Sequence, residues 1–250
     1  MKSWLKVIGA VSLLLSGAAS AGPLLWVGDG DGTLGYVDVA TGNATVVGQM
    51  GATMTDIAFD PSGNLWGITF GQLYRINHAN GVITLVGNLG ASLNSLVFGA
   101  DGTLYGANNG LYSINTSTGA ATLIGGGSYS SSGDLAFVNG NLYLSSASAD
   151  FLYQLDLVTG AGTLLGNIGY SAVYGLATPD NINLYGITGT NVISIDTITG
   201  VGSLVVNYAG TQLGAAWGSA FLSEAGHEVP VPGVLMLMAF GLLLLRRRAK

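Results

Sequence analysis

The chain has no cysteine among its 250 residues, which removes disulfides, thiol nucleophiles and cysteine-ligated zinc from consideration. Charge is scarce too. Asp, Glu, Lys and Arg together make up 8% of the chain, so few side chains are available for acid–base or ion-pair chemistry. Basic residues are nearly confined to the ends: Lys2, Lys6, Arg246, Arg247, Arg248 and Lys250 are six of the seven. All 13 acidic residues fall between Asp29 and Glu228, where Arg75 is the one basic residue, a formal balance of −12. Such a body repels phosphate backbones, and no nucleic-acid partner is expected. His78 and His227 are the only histidines. One falls in a turn and the other near the tail, so neither has a partner for metal binding or for a Ser-His-Asp arrangement. No long amphipathic helix and no phosphate-cradling glycine loop before a helix is evident between the termini.

What the chain has instead is glycine and repetition. Hydrophobic residues make up 49% and there are 41 glycines, a composition suited to many short buried strands joined by tight turns. An aromatic residue inside an apolar run recurs at Trp26, Trp66, Tyr105, Tyr143 and Tyr185, in steps of 40, 39, 38 and 42 residues. A turn glycine keeps the same period at Gly42, Gly81, Gly119, Gly160 and Gly200. About 40 residues per unit, with about four strands in each, predicts propeller blades and not the shorter coils of a β-helix.

Each unit parses into four strands, A to D. Strand A reads Asp56-Ile57-Ala58-Phe59 and its counterparts, and strand B carries the recurring aromatic. Between strands C and D stands Asp/Asn-x-x-Thr/Asn-Gly, beginning at Asp38, Asn77, Asn115, Asp156 and Asp196. A side-chain acceptor at the first turn position, with glycine where the backbone turns left-handed, marks a hairpin with a bulge. These five residues are therefore read as turn builders. The first unit lacks strand A, while Leu213-Gly214-Ala215-Ala216-Trp217 supplies an A-like run with nothing after it. Trp217 lies 39 residues beyond Thr178, which stands in the slot of Phe59, Phe98 and Phe137. The expectation is an all-β, five-bladed β-propeller of four-stranded blades over residues 22–222, its first blade closed by the C-terminal strand. Closure of this kind removes the free sheet edges that invite aggregation.

In a propeller the B–C and D–A loops emerge on one face, and this selects the candidate site residues. Asp56 and Asp134 open their A strands and are expected to ring the mouth of the central channel, where a cation or a sugar hydroxyl could be held. The competing expectation is that they satisfy loop amides. Tyr129, Tyr170, Tyr174 and Tyr208 lie in D–A loops. Aromatic faces on a polar rim stack sugar rings, and the same tyrosines could equally cover blade joints. The first B–C loop holds Asp29-Gly30-Asp31-Gly32, two hard-oxygen donors of the kind Ca²⁺ takes, without the further carboxylates of an EF-hand. Either a plain turn or a calcium site fits. No other cofactor is expected.

The ends read as addresses. Lys2 and Lys6 precede an apolar run from Val7 to Leu15 and then Ala19-Ser20-Ala21, the layout of a secretory signal peptide over residues 1–21. Nine apolar residues span only about 14 Å as a helix against a bilayer core of about 30 Å, so a permanent anchor is disfavoured. At the other end, residues 223–232 form a linker ending Val229-Pro230-Val231-Pro232. An apolar run from Gly233 to Leu245 and then Arg246-Arg247-Arg248 complete residues 233–250, expected to be a hydrophobic helix with a basic stop. This tripartite tail resembles the PEP-CTERM class of bacterial sorting signals, in its Val-Pro-x-Pro variant, with Val231 where the namesake motif has Glu. The resemblance covers about the last 22 residues. It implies transient anchoring in the inner membrane of a Gram-negative bacterium, processing by an exosortase-type membrane protease, and delivery to the cell surface or extracellular matrix. It further implies a matrix exopolysaccharide as the partner class. With catalytic residue types so scarce, the expectation is a non-catalytic binding or structural platform. The alternative is a glycosidase-like hydrolase using Asp56 and Asp134 as paired carboxylates.

Overall fold

The computed structural model describes residues 22–147 and 150–226. The signal-peptide segment, His227, the Pro230/Pro232 motif, the apolar run and the Arg246–Arg248 cluster lie outside the described residues.

Twenty strands form five four-stranded antiparallel sheets. Blade 1 contains β1 (Leu24–Asp29), β2 (Thr33–Asp38) and β3 (Ala44–Gln49). Blade 2 contains β4 (Asp56–Phe59), β5 (Leu65–Ile68), β6 (Gln72–Ile76) and β7 (Ile83–Asn88). Blade 3 contains β8 (Ser95–Phe98), β9 (Leu104–Ala107), β10 (Gly110–Ile114) and β11 (Ala121–Gly126). Blade 4 contains β12 (Ser131–Val138), β13 (Asn141–Ser146), β14 (Phe151–Leu155) and β15 (Gly162–Asn167). Blade 5 contains β16 (Val173–Ala177), β17 (Leu184–Thr188), β18 (Asn191–Ile195) and β19 (Gly202–Asn207). The last strand, β20 (Ala216–Phe221), pairs with β1 and becomes the innermost strand of blade 1.

Burial falls from axis to rim. β4 and β8 are buried at every residue, whereas the outermost strands β3, β7, β11, β15 and β19 expose residues at their centres. Every C–D hairpin carries a register shift at the same place, as between Leu73 and Tyr74 or Val192 and Ile193. It sits at the end of the hairpin away from the turn. Irregularity there helps keep the outer edges from pairing with other chains. The turns themselves are built as expected. Asp196 Oδ1 accepts from the amides of Ile198 and Thr199, both at 2.8 Å, and the Gly200 amide donates to the Asp196 carbonyl at 2.8 Å. Gly200 has φ +78°, a conformation that glycine adopts without steric cost.

Two kinds of contact recur at the blade joints. The recurring aromatic of one blade packs on the Phe that ends strand A of the next: Trp26 on Phe59, Trp66 on Phe98, Tyr105 on Phe137 and Tyr185 on Phe221, with ring centroids 5.7–5.8 Å apart. Such pairs contribute about 0.5–1.5 kcal/mol beyond the apolar area they bury. At the remaining joint Thr178 stands in the Phe slot. Nearer the rim, strand D of one blade passes the turn of the next so closely that a Cβ at Gly87 would lie 1.9 Å from the Thr118 carbonyl oxygen. Gly48, Gly125 and Gly166 repeat that approach.

The closing strand corrects the expected register. Phe221, and not Trp217, occupies the Phe slot: it faces Leu25, Ala220 faces Trp26 and Gly218 faces Gly28. The slip is four residues. Because a strand has period two, an even slip keeps every side chain on its own face, so apolar patterning cannot tell the two registers apart. The Tyr185–Phe221 contact distinguishes them. Beyond β20, Ser223 Oγ donates to the Pro179 carbonyl of blade 5 at 2.6 Å, while Ala225 packs in the cluster with Ala58 of blade 2 and Phe98 of blade 3. The turn after β20 therefore crosses the base of the axis. Packing of the ring continues to Ala225, three residues past the expected boundary at 222.

Candidate functional site

B–C and D–A loops form one face of the disc, called here the mouth face, and A–B and C–D turns form the other, the turn face. The five A strands place equivalent residues around the axis in layers. Asp56, Ser95, Asp134, Gly175 and Gly218 make one layer; Thr55, Asn94, Gly133, Tyr174 and Trp217 make the layer above it, towards solvent. A pocket of about 180 Å³ opens on the mouth face and is lined by all five residues of the upper layer, together with Phe70 and Ser132.

The expectation that Asp56 and Asp134 ring the mouth is corrected: they lie one layer beneath it, both 0% exposed. Gly218 leaves room for Asp56, since a Cβ there would lie 2.5 Å from the Asp56 Cα, and Gly175 leaves room for Ser219, whose Oγ a Cβ would meet at 2.4 Å. Asp56 accepts from its neighbour's amide, Ile57 at 2.8 Å, and across the joint from Leu96 of blade 3 at 2.6 Å. Asp134 does the same with Leu135 at 2.6 Å and Leu176 of blade 5 at 2.5 Å, and takes Ser219 Oγ at 3.4 Å. Beside them Ser95 Oγ hydrogen-bonds Ser131 Oγ. The two carboxyl groups also act on each other, so that protonating one relieves the repulsion on the other. Burial pushes both well above the ordinary carboxylate range, and for Asp134 the charge of Asp56 adds to it. Glu224, in the basal turn, is buried and raised for the same reason, with Asp134 adding to it, and accepts from the Phe221 amide at 3.2 Å. Of the two roles considered for Asp56 and Asp134, satisfying backbone amides is the one the geometry has.

The mouth itself is exposed and uncharged. Tyr174 is 38% exposed, Trp217 40% and Phe70 54%. The Tyr174 and Trp217 rings meet at 53° with centroids 6.4 Å apart, forming a corner. These three aromatics come from blades 5, 1 and 2, which are neighbours around the ring, so one arc of the rim is aromatic. Thr55, Asn94 and Ser132 supply the opposite, polar arc. Thr55 Oγ1 donates to the Ile68 carbonyl and Asn94 Nδ2 to the Ser131 carbonyl, while Ser132 and Tyr174 add further hydroxyls to the lining. Sequence reasoning found Tyr174 and missed Trp217, Phe70, Asn94 and Ser132. Phe221 was the available signal, for it matches Phe59, Phe98 and Phe137 in kind and moves Trp217 out of the strand's buried slot.

Among the other D–A tyrosines, Tyr129 is buried with its hydroxyl donating to the Gly160 carbonyl at 3.1 Å. Tyr208 is buried with bonds to the Gly189 and Gly214 carbonyls, and Tyr170 packs on the cluster between blades 4 and 5. These three cover joints. Asp29 is 2% exposed. Its Oδ1 accepts from the Asp31 and Thr33 amides and its Oδ2 from the Gly214 amide at 2.9 Å, so it ties the first B–C loop to the closing segment. Asp31 is exposed beside it. Among the described residues no group of three or more His, Cys, Asp and Glu gathers to hold a metal ion. The Asp29–Gly32 loop also backs Trp217: a Cβ at Gly30 would lie 2.9 Å from Trp217 Nε1. His78, on the turn face, packs between Trp26 and Phe59 with its Nδ1 buried and unbonded. Arg75 lies 4.3 Å over the Trp66 ring, in an open groove between blades 2 and 3 shared with Asp60 and Asp101.

The chain is thus a closed five-bladed β-propeller of four-stranded blades. No protein-family model matches the sequence, and no curated protein matches it. Solved structures match the fold. A structural-genomics protein of unknown function from Bacteroides thetaiotaomicron is similar over 80% of this chain at 16% identity and TM-score 0.52, and this chain covers 62% of that protein's length, less than two thirds. A symmetrical protein of de novo evolutionary emergence matches over 78% of this chain and 94% of its own at 18% identity, TM-score 0.50. A chain of a nidogen/laminin complex matches over 80% and 98% at 13% identity, TM-score 0.56. At these identities the likeness is one of fold.

Proposed function

We propose that this protein is exported to the bacterial cell surface or extracellular matrix, where its propeller is a non-catalytic platform that binds matrix polysaccharide. The observation that carries this reading is the division between the layers of the axis. Among the described residues the paired carboxylates Asp56 and Asp134 are sealed and hydrogen-bonded to backbone amides, while the layer above offers exposed aromatics beside polar side chains. Export rests on the signal-peptide pattern of residues 1–21 and on the Val-Pro-Val-Pro, apolar and Arg-rich order of the tail, with an exosortase-type protease as processing partner. Among the described residues no helix is long and apolar enough to cross a membrane; in this proposal the apolar run from Gly233 to Leu245 is the anchor before processing.

The test is co-sedimentation of the full-length protein, purified in detergent micelles, with matrix polysaccharides, read alongside release of reducing ends from the same polymers. Saturable binding without release supports the platform. Sugar release abolished by Asp134→Asn would establish the rival hydrolase, and absence of both would reject a glycan partner. An epitope placed after Lys250 and still present on the mature surface protein would count against processing of the tail.

A further inference from the structure

We infer that the mouth pocket seats one uncharged pyranose residue, a chain end or a branch, stacked on Trp217 in the corner made with Tyr174. This rests on the platform reading above and names the part of the glycan recognised. Three observations carry it. First, the pocket is two-sided: the aromatic arc of Tyr174, Trp217 and Phe70 faces a polar arc of Thr55, Asn94 and Ser132. A pyranose is two-sided in the same sense, with a C–H face that packs on aromatic rings and a rim of hydroxyls that exchange hydrogen bonds with amide and hydroxyl groups. Second, no residue lining it carries a formal charge. Arg75, the only Lys or Arg among the described residues, lies in the groove between blades 2 and 3. A uronate or a phosphorylated sugar would therefore meet no cation in an acidic body, and an uncharged ring avoids that cost. Third, the pocket is small and has a floor. Its volume of about 180 Å³ is below the roughly 300–1,000 Å³ of sites for larger ligands. The Asp56–Asp134 layer and the turn crossing the base of the axis close the channel below, so a polymer cannot thread it and only a terminus or a branch can enter.

The Trp217 ring is held for this contact. Gly30 lies against Trp217 Nε1, and its amide donates to the Ala215 carbonyl at 3.1 Å. Gly30→Ala puts a methyl group into that contact and displaces the ring while leaving its chemistry unchanged.

The experiment titrates full-length protein in detergent micelles with free neutral hexoses, N-acetylhexosamines, uronic acids and choline, by calorimetry and by saturation-transfer NMR. A neutral sugar is expected to bind and to compete with polysaccharide. Affinity should fall about tenfold or more in Trp217→Ala and in Tyr174→Ala, consistent with loss of about 1.4 kcal/mol of stacking and burial, and should also fall in Gly30→Ala. Thermal melting verifies that each variant is folded, and Thr84→Ala on the outer rim serves as a control that should retain wild-type affinity. Removal of chain-end and branch residues by exo-acting glycosidases should abolish the polymer's ability to compete. The inference is overturned if uronate or choline binds and neutral sugars do not, or if sugar binding survives in both aromatic variants. If polysaccharide binds but no free sugar does, the mouth assignment alone falls; if polysaccharide fails to bind as well, the platform reading falls with it.

Discussion

On the turn face, carboxylates are tied to their own turns. Asp60 takes Trp66 Nε1, the Asn64 side chain and the amides of Ser62 and Asn64, while Asp101, Asp156, Asp180 and Asp196 each accept amides two or three residues on. On the mouth face, the rim of the pocket is uncharged and its largest side chains pack on one side only. The turn face is therefore built from bonds the fold needs, and the rim of the pocket presents groups the fold can lose. Acidic groups divide in the same way. Amide bonds hold Asp101, Asp156 and Asp196 below the ordinary value of 3.8. For Asp60 and Asp180 partial burial opposes ionisation, and hydrogen bonds outweigh it. On the axis, burial raises Asp56, Asp134 and Glu224.

The largest effect is expected where a blade joint is opened towards the turn face. Phe98→Ala empties the slot under Trp66 and should cost about 3–5 kcal/mol in denaturant unfolding. Gly87→Ala drives a methyl group into the Thr118 carbonyl and should cost about 1–3 kcal/mol. Next comes pH. The depressed turn-face acids contribute stability that is present above 3.8 and is lost as pH falls through their folded values. The raised axial acids contribute stability that is full below their ordinary values of 3.8 and 4.5 and is lost as pH rises through their folded values. Melting temperature should therefore peak in the mildly acid range and decline towards alkaline pH. In Asp134→Asn the alkaline decline should flatten, and a wild-type profile in that variant would show that the axial pair does not set it. Asp60→Ala removes the acceptor of Trp66 Nε1, and because that carboxylate is largely solvated the cost should be about 1 kcal/mol. Smallest is Trp217→Ala, expected to cost under about 1 kcal/mol although it removes the centre of the mouth. A large loss of stability there would erase the contrast between the faces.

Much of this was legible in the chain because a propeller repeats its instructions. The aromatic at Trp26, Trp66, Tyr105, Tyr143 and Tyr185 and the turn glycines mark each blade independently, so an irregular unit does not disturb the count. Ring closure was legible from a missing strand A at one end and a spare one at the other. Its register was not, because Leu213–Trp217 and Gly218–Phe221 both read as apolar strands with the same alternation. The site suffered from that slip, since Trp217 placed in a buried slot cannot also stand at the mouth. The depth of Asp56 and Asp134 was hidden for a different reason: it depends on partners far along the chain, Gly218 making room for Asp56 and the Leu176 amide and Ser219 reaching Asp134.

Both described ends of the ring leave from the turn face. The Gly22 amide donates to Asp38 Oδ1, and Gly226 follows the turn that crosses the base of the axis. Any support that holds the chain by the sequence continuing after Gly226 thus meets the carboxylate-bearing side of the disc. A chain held in that way presents the aromatic bowl on the face opposite its point of attachment, open to the surrounding medium.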